Sequence, residues 1–213
     1  MTSDHTAPRD QPGRSRWLRL RALLAGGLVL GVGGAVTLAA WNDSEYASST
    51  VTASTFGIEG SVNGGGWSEH ESADGAAQLE FDPALPLISP GQSGFLQFSV
   101  RTTADATAGG AVSLQTPSLA GSAALQAALE YAVRVVPDGS ACDAALFENG
   151  GASVIVPNGT ALDAAVPENA SELAPEAGNA VDYCVRISMV AGAGNDVQGE
   201  SATATWQFLA EST

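Results

Sequence analysis

VDYCVRISMV, residues 181–190, alternates along its whole length. Val181, Tyr183, Val185, Ile187 and Met189 fall on one side, and Asp182, Cys184, Arg186 and Ser188 on the other. A period of two belongs to an extended strand with one face turned to a core. The apolar side is the core side. Cys184 then lies on the opposite face, where a disulfide would tether the strand to a covering loop rather than cross the core.

Working outward, the same period recurs. In LISPGQSGFLQFSVRTT the Pro90-Gly91 turn feeds a strand in which Leu96, Phe98 and Val100 face the core, and Phe95 breaks the pattern at its start. EYAVRVV (Glu130–Val136) puts Tyr131, Val133 and Val135 on one face, and SATATWQFLAES puts Ala202, Ala204, Trp206 and Phe208 on one face. Shorter strands are expected at 77–81, 111–116 and 152–157, with a β-like start from Ser49 through Val51, Ala53, Thr55 and Phe56. One or two helical turns are expected in 118–128. The acidic stretch 162–180, with Pro167 and Pro175, reads as a long excursion that could carry a minor helix. Eight or nine short strands, and no helix long enough for a parallel crossover, predict an all-β fold. The expectation is a jelly-roll-like β-sandwich with minor helical turns.

The N-terminal part has a different grammar. Four arginines (Arg14, Arg16, Arg19, Arg21) precede an uncharged run from Ala22 to Asn42, and Leu38-Ala39-Ala40 closes its apolar part with small residues. Basic region, apolar region and small-residue site are the parts of an export signal, cut here between Ala40 and Trp41. The alternative is a single transmembrane anchor, because the 19 residues from Ala22 to Ala40 approach the ~20 that span a bilayer. Both readings place the C-terminal body outside the membrane, and the small residues favour cleavage. The division expected is a basic lead-in over 1–21, a hydrophobic signal over 22–40 and a secreted domain over 41–213.

Charge narrows the partners. Beyond residue 40 there are three arginines, no lysine and 21 carboxylates, a formal charge of −18. Such a surface repels nucleic acid and anionic lipid, so neither is expected as a partner, nor is a membrane after cleavage. Asp74, Asp82, Asp105 and Asp196 could supply oxygen ligands to weakly bound calcium, but no calcium-loop motif is present and no cofactor is expected. In an exported chain Cys142 and Cys184 read as a disulfide. His70 is the one histidine after the signal, flanked by Glu69 and Glu71, and neither a zinc motif nor a nucleophile elbow occurs. The residues do not argue for an enzyme. YASSTVTASTFGIEG, starting at Tyr46, carries no charge from Tyr46 to Ile58 and is rich in β-branched residues. Such a segment completes its own sheet or adds to a neighbour's exposed edge.

Residues 26–61, GGLVLGVGGAVTLAAWNDSEYASSTVTASTFGIEGS, resemble the signal region processed by SipW-type signal peptidases in exported actinobacterial proteins akin to the TasA and camelysin family. The glycine-rich apolar run, Thr37 to Ala40 before the cut, Trp41-Asn42-Asp43 after it and Thr52 to Phe56 carry the likeness. Tyr183-Cys184-Val185, Gln198-Gly199 and Thr205 to Phe208 add to it. The resemblance implies a secreted, cell-surface or biofilm extracellular-matrix protein, jelly-roll-like, released by a signal peptidase and associating with itself or with other matrix proteins. It also implies a donor segment from Asn42 to Phe56 that includes Val51, Ala53 and Thr55. The alternatives are a monomeric secreted binding module and a secreted hydrolase. The metalloprotease label of camelysin-type relatives finds no residues to support it.

Overall fold

The computed structural model describes residues 12–36, 43–137, 140–148 and 152–213. The chain divides into two compact units, residues 1–51 and 52–213.

In the first unit, helix α1 (Pro12–Val36) begins on a proline, whose missing N–H costs nothing in a first turn. The Arg21 guanidinium lies 5.8 Å from the Trp17 ring one turn back. Leu18, Leu24, Leu28 and Leu30 are exposed along the helix. Among the described residues, no helix is long and apolar enough to cross a membrane. Residues 37–42, which hold the Ala40–Trp41 junction and Asn42, lie outside the described residues.

Among its described residues the second unit carries three open antiparallel sheets. The largest has the order β1 (Ile58–Val62), β2 (Ser93–Thr102), β8 (Ala180–Met189), β5 (Leu129–Val135), β6 (Ser153–Ala161). A three-stranded sheet orders β10 (Phe208–Ser212), β3 (Gly110–Leu114), β7 (Ser171–Leu173), and β4 (Ser118–Gly121) pairs with β9 (Ala202–Thr205). The alternating 181–190 stretch is the central strand β8, with Phe98 opposite Tyr183 and Val133 opposite Val185. Tyr183, Val185, Val133, Tyr131, Val100 and Val112 are almost wholly buried in one core. Phe208 joins the three-stranded sheet to it, its ring 5.0 Å from Phe98 and 4.9 Å from Tyr183.

The all-β, jelly-roll-like β-sandwich expected from the alternation is corrected. The fold is mixed α/β: the described residues include three α-helices, two of them in the 52–213 unit, and sheets that are open, none closed into a barrel. Strand periodicity does not register helices of five residues, the length of the two in the 52–213 unit. Ser122 caps α2 (Ala123–Ala127) by accepting the Leu125 N–H, and Leu125 is buried. Asp143 likewise accepts the Leu146 N–H at the start of α3 (Ala144–Glu148), in a segment for which the sequence reading gave no element. Other expectations shift locally. Residues 77–81 and 49–57 form no strand, residues 118–121 pair as β4 rather than turning helically, and 171–173 form β7 where a helix was entertained. The last alternating stretch breaks at Trp206-Gln207 into strands of two different sheets, although Ala202, Ala204, Trp206 and Phe208 all pack on the core.

Candidate functional site

The segment from Asp43 to Phe56 is where sequence and structure meet. Residues 43–55 are exposed and form no helix or strand; Tyr46 is 93% and Val51 91% exposed. Thr55 is hydrogen-bonded to the body of the second unit. Its N–H donates to Thr107 Oγ1 at 2.9 Å, its hydroxyl donates to the Asp105 carbonyl at 2.6 Å, and its carbonyl accepts the Thr107 N–H at 3.0 Å. The Gly57 carbonyl accepts the Thr103 N–H. Phe56, half-buried, lies against Gly110, at which a Cβ would fall 2.8 Å from the Phe56 ring. Of the candidate donor residues, Val51 and Ala53 are therefore free and exposed, Thr55 and Phe56 are tied to their own body, and Asn42 lies outside the described residues.

Open sheets leave edges for such a segment. β7 pairs with β3 only over Gly110–Val112. Beyond it the Asn169 side chain stands in for a strand: its carbonyl oxygen accepts the Leu114 N–H at 2.9 Å and its amide donates to the Leu114 carbonyl at 3.0 Å. An open groove of about 600 Å³ runs along this edge, lined by Ser113 to Thr116 and Val166 to Ala170. At the other extreme, β1 is partly covered, since Gly60 exchanges two backbone hydrogen bonds with Ser68.

The far face of the five-stranded sheet is covered by a short lid. Cys142 and Cys184 are joined by a disulfide, so the strand is tied to the covering segment as its alternation suggested. α3 lays Phe147 over Ala132, Val136 and Cys184, and Phe95 packs beside it with ring centroids 5.8 Å apart. Two arginines flank this ring: the guanidinium carbons of Arg134 and Arg186 lie 5.0 and 5.1 Å from its centroid. Arg134 is 7% exposed and donates to the carbonyls of Val133 and Val156 and to Asn158. Burial, and then the Arg186 charge, push its pKa below the ordinary arginine value. The sequence marked neither arginine; two cationic positions on the polar face of neighbouring strands were the signal available.

Elsewhere the groups that could do chemistry are dispersed. His70 hydrogen-bonds Ser68 and meets Phe98 edge-on. Trp67 lies under Arg101, which pairs with Glu59 at 2.8 Å. Among the described residues no three metal-ligating side chains gather, the aspartates at 74, 82, 105 and 196 included.

Burial raises the pKa of both Tyr131 and Tyr183. Tyr131 donates to the Ala164 carbonyl, whereas the Tyr183 hydroxyl is buried without a hydrogen-bond partner; burial outweighs the opposing effect of the nearby Ser171 side chain. A phenol whose folded pKa is raised stabilises the fold below the unfolded value near 10 and loses that contribution as pH rises toward the folded one. Tyr183→Phe removes an unsatisfied hydroxyl, and is expected to stabilise the unit by about 1 kcal/mol and to flatten the fall in stability above pH ~10. Urea titrations from pH 8 to 11 test this. A loss of stability at pH 8 would mean that the hydroxyl is satisfied after all.

No protein-family model matches the chain, and no curated protein matches it either.

Proposed function

We propose that this chain is an exported structural subunit of the cell surface or extracellular matrix, akin to the TasA and camelysin family. In this reading a signal peptidase releases it at Trp41, and copies associate when the freed N-terminal segment of one lies along an open sheet edge of the next. The observation that supports it is the run from Asp43 to Ser54: exposed, outside any strand and β-branched at Thr50, Val51 and Thr52, it leads directly into an anchor at Thr55. Such a run carries unpaired backbone groups that an open edge satisfies without competing pairing at home. Head-to-tail addition of this kind builds filaments where its rotation does not close into a ring. The metalloprotease label is not carried over, for want of a zinc motif or clustered ligands among the described residues.

Deleting residues 43–54 from the full chain tests the reading in the exported, processed form. The wild type is expected to begin at Trp41 and to give large, time-dependent species by sedimentation, more readily as salt screens the −18 charge. The deletion variant is expected to stay folded and monomeric. A wild type that remains monomeric across salt concentrations, or a deletion variant that polymerises equally, refutes it.

A further inference from the structure

We infer that the paired guanidinium groups of Arg134 and Arg186, held at the Phe147 ring, form a binding site for a carboxylate. In strand register Arg134 stands opposite Cys184 and Arg186 opposite Ala132, which makes the two arginines diagonal neighbours on the lid-covered face. Like charges placed so closely in a partly buried setting oppose one another, and folding tolerates this only where something offsets it. The Phe147 ring and the carbonyls that Arg134 meets supply part of that.

The usual remedy is absent among the described residues. Glu130 and Asp182 occupy diagonal positions on the same face, yet the ion pair formed among the described residues is that of Arg101 with Glu59. Arg186 retains a buried Nε without a hydrogen-bond partner, while the side chain as a whole keeps partial exposure. In a chain so rich in carboxylates, two cations that no carboxylate among the described residues pairs with are an unspent recognition element. A planar guanidinium offers a fork of donors matched to the two oxygens of a carboxylate, and a second guanidinium beside it doubles the charge complementarity. The ligand is either a small free carboxylate or an acidic side chain of a second copy, and the chemistry is the same for both.

The arginine Nε–Hε resonances of the full chain, titrated with sodium malonate and with sodium chloride at matched ionic strength, test the site. Malonate is expected to move the Arg134 and Arg186 signals saturably in the millimolar range, and chloride is not. Arg186→Gln is expected to weaken the malonate response seen at Arg134 by roughly tenfold, and Arg186→Lys, which keeps charge without the fork, by roughly threefold. The lysine variant carries the test if the glutamine variant does not fold. Equal shifts in chloride, or wild-type malonate affinity in the folded variants, overturn the inference. With malonate bound, sedimentation distinguishes the source. Association weakened by Arg186→Gln or by malonate assigns the carboxylate to a second copy; association unchanged assigns it to a free small acid.

Discussion

Replacing both cysteines with alanine is expected to lower the stability of the 52–213 unit by about 4 kcal/mol. The Cys142–Cys184 bridge spans 42 residues, and in the chain-entropy model a closed loop of that length restricts the unfolded chain by about this amount. A second contribution comes from what the bridge holds down. Cys184 is wholly buried in the middle of β8, and the segment tied to it brings Phe147 onto Ala132 and Val136. Without the tether the lid rests on one helix of five residues and a few apolar contacts, too little to nucleate or hold a helix alone. Loss of the lid would expose the far face of the sheet and Arg134, which is buried beneath it. Urea unfolding with and without reductant measures the effect: the wild-type midpoint should fall on reduction and the variant's should not move. A difference below about 1 kcal/mol would mean that the lid and sheet hold their arrangement unaided.

What could be read from the residues was the part set by strict alternation. The strands at 93–102, 129–135 and 180–189 occur where the period of two is longest, with the expected core faces, because a one-residue slip would turn every apolar side chain outward. The disulfide's place followed from the same period, since parity alone put Cys184 on the far face. Three things were not legible. Helices of five residues leave no room for a 3.6-residue period to show. The kink at Trp206-Gln207 carries an unbroken alternating pattern from one sheet into another, so pattern could not reveal the change of sheet. The roles of Arg134 and Arg186 depend on Phe147, which joins them only after the disulfide has folded its segment across the sheet. The same limit applies at Thr55. Its composition suits a donor strand as well as that of Val51 does, and only the partners at 105 and 107 separate them.

Gly110→Ala is expected to destabilise the same unit by about 3 kcal/mol, at the upper end of what overpacking a tight site costs. A methyl on Gly110 would be driven against the backbone carbonyl of Glu211 and would come within 2.8 Å of the Phe56 ring. The carbonyl belongs to β10, which pairs Gly110 with Ser212, and the adjacent Gly109 carbonyl accepts the N–H of Thr213. Neither wall is the loose end of a flexible side chain, so the strain must be met by parting β3 from β10 or by lifting Phe56. Phe56→Ala distinguishes the two. If Phe56 yields, Phe56→Ala and Gly110→Ala together cost less than their sum, because the methyl occupies space that the ring has left. If the strands part, the two costs add. The first outcome bears on assembly, since lifting Phe56 loosens the anchor at Thr55 and lengthens the free segment beyond Ser54. Gly110→Ala should then raise the rate of association per folded molecule while lowering thermal stability. A variant that loses stability but associates at the wild-type rate would show that the anchor at Thr55 and Phe56 serves the fold alone.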